Sequence, residues 1–243
     1  MRRETRILLT TLALGGLWVG GKRAWQGMVA METFRVRDVE ISGIRFLDRD
    51  QVLHALGVTN ETSVWSDPGV WADNLAELRL VKDARVTRRM PGTLVVSVVE
   101  RRPVALVPTP TLAPVDARGE FLPIDPAEHR LDLPVIDGVG KPVPGAHLLP
   151  WRGRHLAAEL ARLSDTDGSF VQGVSEVTWK DDHTLVIRWS DPQVDFLVSQ
   201  GAPSRRLREG LTVLQDAMAR DGSHAPAVID LRYADQVVVR RTR

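Results

Sequence analysis

Two acidic groupings are where this sequence comes nearest to chemistry. Asp165 with Asp167 has the spacing of an acid pair, and Asp181-Asp182-His183 has the composition of a metal corner. An acid pair works by dividing acid and base roles, and a metal corner by converging oxygen and imidazole ligands. Both groupings, however, lie in polar stretches beside glycine or between apolar runs, where aspartate ordinarily serves a turn by bonding nearby backbone. The six histidines, His54, His129, His147, His155, His183 and His224, are scattered without paired ligand spacing. No nucleophile elbow, Walker lysine loop or dinucleotide-binding glycine pattern occurs. The nearest glycine run, Gly138-Val139-Gly140-Lys141-Pro142, puts proline where a phosphate-binding helix would need a backbone donor. Catalysis, metals and cofactors therefore have no residues to rest on, and an enzyme is not expected.

Composition points the same way. Lys plus Arg at 32 against Asp plus Glu at 31 leaves +1, which gives no argument for nucleic acid or an acidic substrate. Without cysteine there are no disulfides, thiolate metal sites or thiol nucleophile. Stability must come from packed cores, and 243 residues at 43% hydrophobic composition can supply them.

The elements that would position a binding surface begin at Phe34. Phe34, Val36, Val39 and Ile41 read as a strand whose apolar parity switches, which predicts a bulge near Arg37 and Asp38 or a strand beginning only at Val39. Gly43 ends it. Asp48 and Gln51 have the form of a capping box ahead of a short helix through Val52, Leu53 and Leu56, stopped by Gly57. Asp67-Pro68 opens a second helix, with Trp71, Leu75 and Leu78 along one face. Two β-rich runs, Val81–Arg89 and Leu94–Arg101, follow across Met90-Pro91-Gly92-Thr93. Val104–Val107 reads as an extension of the second run.

This β-α-α-β-β order resembles a POTRA domain. Val39-Glu40-Ile41-Ser42-Gly43, Leu80 to Arg88, Pro91-Gly92-Thr93-Leu94 and Val98-Val99-Glu100-Arg101-Arg102-Pro103-Val104-Ala105 together resemble the FtsQ/DivIB family of bacterial division proteins, with its V-x-E-R-x-P-x-A run intact. Taken by themselves, Glu100 and Arg101 read as an exposed ion pair of little energetic weight. Further on, Leu112 to Phe121 is similar to the family's V-D-x-x-G hairpin, and Leu133-Pro134-Val135-Ile136-Asp137-Gly138 to its L-P-V-I-x-G segment.

Ahead of these domains, Arg2, Arg3 and Arg6 precede an uncharged run from Ile7 to Gly21, shorter than the roughly 20 residues that span a bilayer. A cleaved signal peptide is a poor fit, because its best site, after Ala30, places Met28 at −3. A buried soluble helix would not ordinarily start behind an arginine cluster. An uncleaved signal anchor over 7–31 fits better, since Lys22 and Arg23 can snorkel and Trp18 and Trp25 suit the interface. Residues 1–6 are then a short cytoplasmic tail. Lys22 and Arg23 weaken the positive-inside signal, but so short a tail leaves the bulk of the chain to be translocated.

In the remainder, Lys141–Pro150 reads as loop, His155–Leu163 as a helix and Ser164–Ser169 as a polar turn. Val174–Lys180, Thr184–Ser190 and Val194–Ser199 read as three antiparallel strands. Ser204–Arg220 is the clearest helix, with Leu207, Leu211, Leu214 and Met218 on one face. Ala227–Tyr233 and Gln236–Arg241 close the chain as strands, and Val228-Ile229-Asp230-Leu231-Arg232-Tyr233 is similar to the family's closing D-L-R-Y element.

The expected architecture is α+β: an N-terminal transmembrane helix, a POTRA domain over 34–105, and a second mixed α/β domain over 106–243 with an antiparallel sheet. Val237-Val238-Val239 at the end of the chain would form an edge strand, whose unpaired backbone groups suit β-strand addition by a partner. The resemblance implies the same surface: in the family the final strands receive a segment of FtsB, itself coiled with FtsL. Carried over by motif, the partner-binding residues are Arg232, Tyr233, Gln236, Val237, Val238 and Val239. Tyr233, the only tyrosine, is the natural aromatic anchor. Each valine is as well explained by core packing, because alternate strand residues face inward. Ala234-Asp235-Gln236 departs from the small residues usual in the family after this tyrosine. The implied function is a bitopic scaffold of the divisome, at the septum with its bulk outside the cytoplasmic membrane. It would bind FtsB/FtsL-type partners, meet other division proteins through its membrane helix and POTRA domain, and help control septal peptidoglycan synthesis. A transport or outer-membrane assembly component, the alternative, would carry further POTRA repeats or a long series of barrel strands, and the sequence has neither.

Overall fold

The computed structural model describes residues 32–140, 145–220 and 226–241. The chain divides into two compact units, the first ending at Glu100 and the second starting at Arg101. The expected tail at 1–6 and anchor at 7–31 lie outside the described residues. Among the described residues no helix is long and apolar enough to cross a membrane.

The first unit runs β1 (Asp38–Ser42), α1 (Arg49–Leu56), α2 (Pro68–Ala76), β2 (Val81–Arg89) and β3 (Thr93–Glu100). Its sheet has the order β1-β3-β2, with β1 parallel and β2 antiparallel to the central β3. The parity break before Val39 has a physical cause: the N–H groups of Arg37 and Asp38 both donate to the Gly92 carbonyl, at 2.8 and 3.3 Å. Regular pairing therefore starts at Asp38. The capping box forms as the sequence predicts, with Asp48 and Gln51 exchanging side-chain and backbone bonds, and Gly57 closes α1 in the left-handed region. Asp67 accepts from the Gly69 N–H ahead of Pro68. Val52, Leu56, Trp71, Leu75, Leu94 and Val96 form the core, each worth roughly 1.5–3 kcal/mol for the larger side chains. Gly43 is required where it stands, because its φ is +85° and a Cβ there would lie 2.0 Å from the Val98 carbonyl oxygen.

Glu100 corrects the surface ion-pair reading. Its carboxylate accepts from the backbone N–H groups of Arg45, Phe46 and Leu47 at 2.9–3.1 Å, closing the loop between β1 and α1. Arg101 instead belongs to the second unit, where it pairs with Asp116 at 3.0 Å and Glu120 at 3.3 Å. Asp116 also accepts from the N–H groups of Arg118 and Glu120, so the V-D-x-x-G hairpin is folded around one carboxylate.

The second unit contains β4 (Ala105–Thr109), β5 (Thr111–Val115), β6 (Val135–Ile136), α3 (Trp151–Thr166), α4 (Gly168–Gln172), β7 (Val174–Trp179), β8 (Thr184–Trp189), β9 (Val194–Ser199), α5 (Ser204–Arg220), β10 (Val228–Asp230) and β11 (Val238–Arg240). They build an eight-stranded sheet of order β11-β10-β9-β8-β7-β6-β4-β5. Ala105 opens β4 of this sheet, so Val104–Val107 does not prolong β3. The expected antiparallel sheet is in fact mixed, since β4–β6, β6–β7 and β9–β10 are parallel. The reason is connectivity. The helices α3 and α4 separate β6 from β7, and α5 separates β9 from β10, and such crossovers return the chain in the same direction.

Two boundaries also move. The helix expected over His155–Leu163 extends from Trp151 to Thr166, and Gly168–Gln172 is helical where a polar turn was expected. The closing strands are shorter than the apolar runs suggest, because Arg206 engages the carbonyls after Asp230. Helix faces bearing Leu156, Leu160, Leu163, Leu207 and Leu214 share a core with Phe170, Phe196, Ile187 and Ile229.

Candidate functional site

The acidic groupings are structural turns. Asp167 accepts from the Ser169 hydroxyl at 2.8 Å and the Phe170 N–H at 3.3 Å, capping α4, and pairs with Arg208 at 2.9 Å. The Ser169 bond leads in holding its carboxyl below the ordinary range. Asp181 accepts from the N–H groups of His183 and Thr184 at 3.0 and 2.8 Å, joining β7 to β8, and the His183 bond is the main cause of its lowered pKa. Among the described residues, no group of three or more His, Cys, Asp or Glu could hold a metal ion.

The edge at β11 is a different kind of site. β11 pairs antiparallel with β10, placing Val238 opposite Asp230, Val239 opposite Ile229 and Arg240 opposite Val228. Among the described residues no strand lies beyond it. Pairing fixes the faces: Val239 shares the helix-covered face with fully buried Ile229, while Val238 shares the other with Asp230. Val237 packs against the core, Val238 is half-buried, and Gln236 and Val239 are exposed.

The turn between β10 and β11 is held by an arginine that the sequence gave no reason to select. Arg206 of α5, 9% exposed, donates to the carbonyls of Leu231 at 3.2 Å, Tyr233 and Gln236, and pairs with Glu209 at 2.6 Å. These bonds satisfy three carbonyls that the sheet leaves unpaired. Tyr233 is thereby presented on the outside, 43% exposed, with the Arg232 guanidinium 6.0 Å from its ring centroid. Arg232 itself turns back, donating two bonds to Asp230 at 2.9 and 2.6 Å.

Asp230 is fully buried and is also approached by Arg240 at 3.5 Å. The Arg232 side-chain bond holds its carboxyl below the ordinary range against the opposing effect of burial, and the same pairing pushes Arg232 up. The structure thus brings Arg232, Tyr233, Gln236, Val237, Val238 and Val239 together on one ribbon, with Val237 facing the core. Arg206 and Asp230 are the residues missed. The one local signal was a carboxylate inside the apolar run Val228-Ile229-Asp230-Leu231, which requires a cationic partner when buried.

Comparison with known proteins fits this division of the chain. The profile for the FtsQ-type POTRA domain matches residues 34–101. The profile for the C-terminal domain of cell division protein FtsQ/DivIB matches residues 105–232. Cell division protein FtsQ of Rhodothermus marinus is 30% identical over 253 residues, covering 98% of this chain and 87% of its own length. The FtsQ of an Anaeromyxobacter species is 28% identical over 240 residues, covering 96% and 79%. That of Zymomonas mobilis is 34% identical over 151 residues, covering 57% of this chain and 46% of its own. With a profile on each unit and similarity along almost the whole length, the chain belongs to the FtsQ/DivIB family of cell division proteins.

Proposed function

We propose that this chain is a non-catalytic scaffold of the bacterial divisome that recruits FtsB/FtsL-type partners by strand addition to β11. The observation that carries this reading is the one-sided pairing of β11 beside the exposed Tyr233. An edge strand presents unpaired N–H and C=O groups that another chain's backbone can complete, and an aromatic side chain next to it supplies an anchor. Tyr233, Gln236 and Val239 make contact, Arg232 and Val238 border it, and Val237 sets the inner face of the ribbon. The POTRA unit and the membrane segment meet other division proteins. Residues 7–31 anchor the chain in the cytoplasmic membrane, 1–6 remain inside, and the units at 34–105 and 106–243 lie outside at the septum. Partner binding there helps control septal peptidoglycan synthesis. The test is co-purification of FtsB and FtsL relatives with the wild-type chain, Tyr233→Ala and a chain ending before Gln236. Undiminished capture by a folded truncated chain would remove the site.

A further inference from the structure

Two register rows of the second sheet end at its open edge with opposite chemistry. One runs Glu176, Arg188, Asp195, Val228, Arg240 across β7, β8, β9, β10 and β11. Arg188 is held by Glu176 at 2.5 Å and Asp195 at 3.0 Å, so the row alternates in sign, passes neutral Val228 and stops on a cation. Arg240 has only a share of a carboxylate: Asp230 lies 3.5 Å from it but 2.6 Å from Arg232. Two guanidinium groups thus face one carboxylate, and the Arg240 side chain is 55% exposed. The neighbouring row, Val177, Ile187, Phe196, Ile229, Val239, is apolar throughout and ends on a partly exposed valine. Residues directly opposite on adjacent strands share a face within contact distance, so a strand laid along β11 meets both rows.

Building on the strand-addition reading above, we infer that the segment completing this edge is an extended stretch of a partner protein with a carboxylate opposite Arg240 and, next to it in sequence, an apolar side chain opposite Val239. The carboxylate continues the alternation and supplies the charge that Asp230 cannot give twice. A second copy of this chain does not fit, because residues 236–241 contain no acid and pairing two such edges sets cations against valines or each other.

The experiment pans a displayed library of random twelve-residue peptides on the full-length chain in detergent, in parallel with Arg240→Glu and with a chain ending before Gln236. Wild type is expected to enrich peptides with an acid adjoining an apolar residue. Arg240→Glu should replace that acid by lysine or arginine, with a preference changed by roughly two- to tenfold. The truncated chain should enrich neither. Identical selections by wild type and Arg240→Glu, with truncation still abolishing enrichment, would overturn the charge rule alone. Unchanged selection by the truncated chain would overturn the edge reading and this inference with it. Dimerisation of wild type that truncation abolishes would show self-pairing and likewise reject an acidic partner.

Discussion

The Arg206 guanidinium donates to the carbonyl of Tyr233, tying a helix to a turn lying 27 residues further along the chain. The same group reaches Leu231 and Gln236, so one side chain determines the course of the backbone that presents the only tyrosine. Replacing it with Met keeps the aliphatic packing and leaves buried carbonyls unpaired. The expected loss is about 2–3 kcal/mol, with faster amide exchange over 231–236. Denaturant unfolding with hydrogen exchange checks this, and Arg206→Lys should recover part of both.

Exposed Tyr233 should separate binding from folding. Tyr233→Ala is expected to weaken partner capture by about tenfold or more, while stability stays within about 0.5 kcal/mol of wild type. Titration with the partner, alongside a thermal melt, distinguishes a lost contact from a lost fold.

Asp230 links this region to pH. Its carboxyl is held below its ordinary value of 3.8, chiefly by the Arg232 bond. A carboxylate depressed in the folded state contributes stability that is complete above the unfolded pKa and is lost as pH falls through the folded one. Asp230→Asn should therefore be less stable than wild type at neutral pH, by an amount that holds down to about pH 5 and shrinks below about pH 4. Urea unfolding at several pH values measures the gap, and a gap unchanged at about pH 3 would contradict the linkage.

Glu100 makes a prediction for the first unit. Its carboxylate gathers three successive N–H groups, so Glu100→Ala is expected to cost about 2–3 kcal/mol and to free the loop ahead of α1. Glu100→Gln keeps the shape but sets an amide N–H₂ against backbone donors, and should recover less than the full loss. Unfolding of the two variants in denaturant decides it.

What the sequence determined by itself is everything encoded within a few residues. The capping box at Asp48 and Gln51, the Asp67-Pro68 start, the Gly57 stop and the leucine face of Ser204–Arg220 all appear as read, because a cap or a helical period is settled by neighbours one to four positions away. The motif set likewise identified the family. The tertiary structure decided the rest: the parallel pairing of β9 with β10, the position of β11 at the end of the sheet, and the duties of Glu100, Arg206 and Asp230. Glu100 bonds backbone 53 to 55 residues before it, and Arg206 bonds backbone 25 to 30 residues after it. No local pattern specifies such partners, because a buried charge is placed by whichever distant groups folding brings to it, and strand order by the long-range closure that buries the core.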